Sequence, residues 1–293
     1  MIHTTLIDAS ALAALGGASG VAVVDCRFDL NLPGAGREAY LSAHIPGALY
    51  ADLNRDLSGP LQAHTGRHPL PDPRRLAERF EQLGIGDDTQ AIAYDAGNGA
   101  FAARLWWLAR WLGHRRIAVL DGGFAAWTAL RLPTESGDLP DASPAQRFTA
   151  RVSDDAFVTS EQVAAALEEP GRMLVDARAP ERFEGKVEPL DPVAGHVPHA
   201  VNVPFNGNLR ADGRFLAPAE LRERWLQVLG PRKVSDLIAM CGSGVTACHN
   251  LLALEAAGLP GVRGRESIRS KSPRRVSRPE VRRLPGRADC DRQ

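Results

Sequence analysis

The sequence predicts an α/β protein built from two tandem domains, each a mainly parallel sheet flanked by helices. Three observations carry that prediction. The chain has 293 residues, enough for about two domains of ordinary size. Short apolar runs alternate with helix-like stretches, the order that builds parallel sheets. A set of segments also recurs at a spacing of about 150 residues, so that the second half echoes the first.

The segments can be taken in order. Val21-Ala22-Val23-Val24-Asp25-Cys26-Arg27 is answered by Met173-Leu174-Val175-Asp176-Ala177-Arg178. Continuous apolar runs of this kind suit strands buried on both faces of a parallel sheet. His44-Ile45-Pro46-Gly47-Ala48 is answered by His196-Val197-Pro198-His199-Ala200, at nearly the same distance from the preceding arginine. Both histidines are expected to brace loops. Ala91-Ile92-Ala93-Tyr94-Asp95 is answered by Leu237-Ile238-Ala239-Met240-Cys241, and a helix-like stretch follows each, 100–112 and 246–257. Trp106, Trp107 and Trp111 fall at helical spacing in the first of these and are expected to serve the core and a domain interface. Residues 1–130 form the first domain on this reading and 156–262 the second. Between them, 131–155 contains Pro133, Pro140 and Pro144 and reads as an extended, exposed linker.

Composition narrows the function. Hydrophobic residues make up 44% and charged residues 24%, ordinary for a soluble domain. No apolar run reaches the roughly 18 residues of a membrane span. Met1–Thr5 carries no basic segment leading into an apolar core, so no secretory signal is expected. Four cysteines (Cys26, Cys241, Cys248, Cys290) in a chain of this length do not make a disulfide framework. A reducing, cytoplasmic setting follows as the expectation, with a monomer as the default state. No cofactor is called for: there is no phosphate-cradling Gly-x4-Gly-Lys motif or dinucleotide motif. Cys248-His249 lacks the paired spacing of a zinc site, and Cys248 reads as helix packing.

The repeat is most informative where it breaks. At the end of the corresponding strand the first copy has Asp95 and the second has Cys241. Cys241 opens the loop Cys241-Gly242-Ser243-Gly244-Val245-Thr246, with a helix directly after. Ligands of parallel sheets gather outside the carboxyl ends of the strands. Glycines let such a loop curl its N–H groups inward, and a helix N-terminus adds its positive dipole end. The same field favours a thiolate and would hold a persulfide anion. A buried structural cysteine is the rival reading. The glycine loop and the asymmetry between copies favour chemistry, in one loop only.

These residues resemble the tandem rhodanese family of 3-mercaptopyruvate and thiosulfate sulfurtransferases. The resemblance spans about residues 5–262. It rests on the Asp-x-Arg strands, the two His-[Ile/Val]-Pro segments, Asp121-Gly122-Gly123-Phe124-Ala125-Ala126-Trp127 and the Cys241 loop. It implies a sulfurtransferase that moves sulfane sulfur to a thiol or cyanide acceptor through a persulfide on Cys241. It further implies a donor site formed by Gly242, Ser243, Gly244, Val245, Thr246, Arg182 and His68. The neutral loop goes with mercaptopyruvate enzymes, whereas thiosulfate enzymes carry basic residues after the cysteine. One arginine, placed by the resemblance at Arg182, could clamp a carboxylate through two parallel hydrogen bonds. His68 matches a family histidine that faces the active loop across the domain interface. Its acidic partner aligns with Asn54, with Asp52 and Asp56 nearby, which puts a Ser–His–Asp relay in question.

Two rivals remain at this level. A Cys-x5-Arg phosphatase would need an arginine where Ala247 stands. A non-catalytic rhodanese-like module would hold no stable sulfur. The tail 263–293 departs from the repeat: it holds ten arginines and one lysine against four acidic residues, a net of +7, which leaves −7 on the first 262 residues. Such a tail reads as an arm for nucleic acid or an acidic partner, since clustered arginines provide phosphate contacts, or as an aberrant terminus, for instance a frameshifted reading. The abrupt loss of similarity favours the second, and nucleic acid is not an expected partner. On this reading the second domain lacks its closing strand and turn, and the residues after about 265 are disordered.

Overall fold

The computed structural model describes residues 2–62, 65–142, 147–166, 169 and 171–265. In the first half the elements are β1 (Leu6–Ile7), α1 (Ala9–Leu15), β2 (Val21–Asp25), α2 (Ala35–Ser42), β3 (Leu49–Tyr50), α3 (Pro73–Gln82), β4 (Gln90–Tyr94), α4 (Ala102–Trp111), β5 (Ile117–Leu120) and α5 (Gly123–Ala129). In the second they are β6 (Phe157–Val158), α6 (Ser160–Ala166), β7 (Met173–Asp176), α7 (Pro180–Phe183), β8 (Val201–Asn202), α8 (Pro218–Leu229), β9 (Leu237–Met240), α9 (Val245–Ala256) and β10 (Arg263–Arg265). The first sheet runs β1-β5-β4-β2-β3 and the second β6-β10-β9-β7-β8. Every pairing in both sheets is parallel. The two orders are one topology used twice, so the sequence repeat is a structural one.

Local chemistry explains the elements. β5, β7 and β9 are buried along their whole length and β4 nearly so, as continuous apolar runs require when helices cover both sheet faces. The carboxylate of Asp8 caps α1 by accepting the Ala11 N–H at 2.8 Å. Asp72 caps α3 in the same way, ahead of a proline whose missing N–H is no loss at the first helical position. Each copy pins its second strand through the Asp-x-Arg pair. Arg27 binds Asp25 and the Ala43 carbonyl, and Arg178 binds Asp176 and the Gly195 carbonyl at 2.8 Å. His44 and His196 then brace the loops as expected: each ring Nδ1 meets a backbone carbonyl, of Tyr40 at 2.8 Å and of Phe183 at 2.7 Å.

The expectation that the second sheet lacks its closing strand is corrected. Arg263–Arg265 forms β10, wedged between β9 and β6 in the place β5 holds in the first sheet. The strand contributes backbone rather than apolar side chains, which is why hydrophobic patterning did not reveal it. A Cβ added at Gly264 would lie 3.4 Å from Leu251 and 3.8 Å from Trp107, so side chains of α9 and α4 fill the space above the glycine. The turn expected after it and the remainder of the basic tail lie outside the described residues.

The linker is largely exposed, as expected, but it is not a free tether. It is strapped to the first domain along its described length. Glu135 exchanges both backbone hydrogen bonds with His44, at 2.7 and 2.9 Å. Asp87 binds the Thr149 N–H and hydroxyl, and Phe148 is buried edge-on against Phe80. Arg151 and Ser153 donate to the carbonyls of Leu112 and Trp111.

The halves meet where α4 packs on α9. Trp107 and Trp111 stack with ring centroids 6.0 Å apart, and Trp106 donates to the Thr4 carbonyl at 2.9 Å. All three indoles are buried, in one apolar cluster that runs through both domains. Removing such a ring costs about 3–5 kcal/mol. Polar bonds fix the register: Arg110 to Glu255 at 2.8 Å, the Phe215 N–H to Asp121 at 2.8 Å, and His249 Nε2 to the Asn98 carbonyl at 3.0 Å. Among the described residues no helix is long and apolar enough to cross a membrane.

Candidate active site

Strand register equates the two loops. Asp25 lies opposite Tyr94 in the first sheet and Asp176 opposite Met240 in the second, so the residues that follow, Asp95 and Cys241, are equivalent. In the first copy the Asp95 carboxylate is 1% exposed and accepts the N–H groups of Gly97, Gly99, Phe101 and Ala102 at 2.9–3.3 Å. Burial pushes its pKa up, against the pull of those four donors. The loop is thus a cradle of N–H donors, and the first copy fills it with its own side chain.

The second copy puts sulfur in the same place. Cys241 is 8% exposed, and its Sγ accepts the Gly244 N–H at 3.0 Å. Gly244 sits at φ 80°, in the left-handed region that favours glycine, and turns the chain straight into α9. The helix begins four residues after Cys241 but seven after Asp95, so the second loop is the tighter. Ser243 and Val245 are buried beneath it, and Thr246 is half-buried in the first turn of α9. The Cys248 thiol, one turn along the helix, donates to the Gly244 carbonyl at 3.0 Å and steadies that corner. Burial pushes the Cys248 thiol up to about 12 and raises Cys26 well above its ordinary value, so neither is a competing nucleophile near neutral pH.

Charge gathers over Gly242. A Cβ added there would fall 2.5 Å from Asp191 Oδ2, 3.0 Å from Arg67 Nη2 and 3.4 Å from Arg182 Nη2. Arg182 therefore reaches the Cys241 loop. It is already paired, with Glu188 at 2.7 Å and Asp191 at 2.8 Å. Glu188 is anchored further by the N–H groups of Leu190 and Asp191, and Arg178 stands 3.4 Å from it. Arg67 comes from the first domain and binds Asp191 across the interface at 2.9 Å. Sequence reasoning missed Arg67, Glu188 and Asp191. The one local cue was Arg67's place beside His68; its partner is 124 positions away.

His68 is 3% exposed and lies among cations. Burial, then Arg104, then Arg67, push its pKa down to about 3, so it is neutral at working pH. Its Nδ1 has no hydrogen-bond partner among the described residues. The nearby carboxylates are committed elsewhere: Asp52 accepts the Asn54 and Arg55 N–H groups, and Asp56 pairs with Arg55 and Arg79. No described contact joins His68 to Ser243 or to an acid. His249, next to Cys248, is fully buried in contact with Asn98 and Asn208.

Known proteins are similar to this chain in sequence and in fold. Residues 8–130 and 159–264 each match the rhodanese-like domain. A Pseudomonas aeruginosa protein named "probable 3-mercaptopyruvate sulfurtransferase" is 48% identical over 262 residues, 89% of this chain and 92% of that one. The human 3-mercaptopyruvate sulfurtransferase is 38% identical over 79% of this chain and 78% of its own. The crystal structure of SseA from Escherichia coli, described among 3-mercaptopyruvate sulfotransferases, superposes with a TM-score of 0.78 at 32% identity, covering 90% of this chain and 98% of that one. With one such domain in each half, the chain belongs to the rhodanese-like sulfurtransferases.

Proposed function

We propose that the chain takes sulfane sulfur from 3-mercaptopyruvate onto Cys241 and passes it to a thiol or cyanide. The Cys241 thiolate attacks the donor's sulfur, the carbon–sulfur bond breaks, and its electron pair leaves on pyruvate as the enolate, which water protonates. Cys241 then holds a persulfide. An acceptor thiolate or cyanide attacks the outer sulfur, the S–S bond breaks, and the Cys241 thiolate returns.

The observation that carries the reading is the Cys241 sulfur in its N–H cradle at the head of α9, with guanidinium groups over the adjacent Gly242. The Asp95 loop supports it, because there the equivalent cradle gives four N–H groups to one carboxyl group. On this reading Arg182 binds the donor's carboxylate, and the hydroxyls of Ser243 and Thr246 assist the departing group. The backbone of Gly242, Gly244 and Val245 shapes the cradle, and His68 acts as a neutral wall. The loop itself has no cation, which suits a monocarboxylate better than the thiosulfate dianion. A thiosulfate-preferring enzyme is the second reading, since a Mycobacterium tuberculosis relative 37% identical over 244 residues bears a thiosulfate sulfurtransferase name. Three free thiols among the described residues fit a reducing compartment such as the cytoplasm.

The test compares kcat/KM for 3-mercaptopyruvate and thiosulfate, with Cys241→Ser as the blank. A higher value for 3-mercaptopyruvate, lost in the blank, supports the proposal. Preference for thiosulfate moves the donor assignment, and full activity in the blank ends the mechanism.

A further inference from the structure

The charged group over Gly242 is neutral as a set, and it is already satisfied. Arg67 and Arg182 each give a hydrogen bond to Asp191, through Nε to Oδ1 at 2.9 Å and through Nη2 to Oδ2 at 2.8 Å. One carboxylate thus spans two arginines of different domains, beside the residue that follows the nucleophile. That is the position and the chemistry the proposed donor's carboxylate requires.

The two acids in the group differ in how firmly they are held. Glu188 has a nearly buried side chain, two backbone N–H groups and Arg182, with Arg178 behind it. Asp191 stands in the irregular Leu190-Asp191-Pro192 stretch between α7 and β8, and its side chain is 20% exposed. Its carboxylate is held by side chains alone, Arg67 and Arg182, both of which also reach solvent. Glu188 is built to stay, and Asp191 can turn out to water. If both stayed while a donor entered, a third carboxylate would meet two arginines already matched by two acids, at a cost in repulsion that a low-dielectric site magnifies.

We propose that Asp191 is an internal stand-in for the donor's carboxylate, displaced on binding, and that Arg67 thereby becomes a carboxylate-binding residue supplied by the first domain. This rests on the donor reading above. It assigns the otherwise non-catalytic first domain a direct part in recognition, and it explains why Arg182 is not free. It also sets donor affinity below what two open arginines would give, because the donor competes with a tethered carboxylate at high effective concentration.

The experiment uses the full chain as wild type, Asp191→Asn, Arg67→Met and the double variant. Two readouts are taken: KM and kcat for 3-mercaptopyruvate, and protection of Cys241 from iodoacetamide by pyruvate, a carboxylate without transferable sulfur. Asp191→Asn removes the competing charge at constant size. The expected result is a fall of about tenfold in KM and in the pyruvate concentration for half-protection, the worth of one charge-assisted hydrogen bond. The change falls in KM rather than in kcat. Arg67→Met raises both quantities by a similar factor, and in that background Asp191→Asn gains clearly less. A bridge that only holds the domains together predicts the reverse sign: weaker binding and a lower Tm in Asp191→Asn. Unchanged or weaker pyruvate protection in Asp191→Asn overturns the proposal. A wild type that takes no sulfur from 3-mercaptopyruvate defeats the donor reading instead, while pyruvate protection still reports on Asp191.

Discussion

Mild acid should loosen the domain interface through His249. Its Nε2 faces the Asn98 carbonyl, an acceptor only, so Nε2 carries the hydrogen. Its Nδ1 lies 3.4 Å from Asn208 Nδ2, a donor, which leaves no favourable place for a second proton. Burial accordingly pushes the imidazole down to about 3, as it does for His68, where Arg104 and Arg67 add to burial. In the unfolded chain both titrate near the ordinary histidine value of about 6.5. Between pH 6.5 and 3 the unfolded state therefore binds more protons than the folded one, and stability falls as pH falls through that window. Each histidine contributes a loss of about 1.4 kcal/mol by pH 5.5 relative to pH 7.5, and the pair about 3 kcal/mol. His249→Gln keeps an N–H to offer the Asn98 carbonyl and removes one titration. Urea unfolding, followed by tryptophan fluorescence at pH 7.5 and 5.5, should show the acid-induced loss smaller by about 1.4 kcal/mol in the variant. Equal acid sensitivity in variant and wild type would refute the reasoning.

Other predictions follow from single residues. Gly264→Pro removes an N–H from a strand paired on both sides and should destabilise the second domain by on the order of 3 kcal/mol, whereas Gly264→Ala, with its nearest neighbour at 3.4 Å, should be close to neutral; chemical denaturation of the two variants checks this. His199 holds φ 64° where the first copy has Gly47 at φ 73°, so His199→Gly should raise stability by about 1 kcal/mol, read as a higher urea midpoint. Asp95→Ala strands buried N–H groups and should cost about 2–4 kcal/mol in the same assay, while sulfur loading of Cys241 in the folded protein persists.

What could be read in advance divides along physical lines. The repeat, the strands around Val24, Val175 and Ala239, and the tryptophan face of α4 were legible because parallel strands and interface helices leave runs of apolar residues. Cys241 was legible because glycine loops at strand ends are distinctive and because Asp95 gave a contrast within the same chain. β10 was not, since Arg263-Gly264-Arg265 pairs through its backbone and borrows its apolar cover from Leu251 and Trp107. The linker's attachment was hidden for the same reason: most of its bonds join backbone to backbone. The Arg67–Asp191 contact depends on how the domains meet, and no local pattern encodes a pairing between residues so far apart. The resemblance supplied Arg182 but gave no hint that a carboxylate already held it.

The central claim is that sulfur travels on Cys241. Peptide-resolved mass spectrometry after a single exposure to 3-mercaptopyruvate tests it most directly. The account predicts one added sulfur atom on the peptide that bears both Cys241 and Cys248, placed on Cys241 by fragmentation, none on the peptide bearing Cys26, and its loss on adding cyanide. Sulfur carried by another cysteine, or retained in Cys241→Ser, would contradict it.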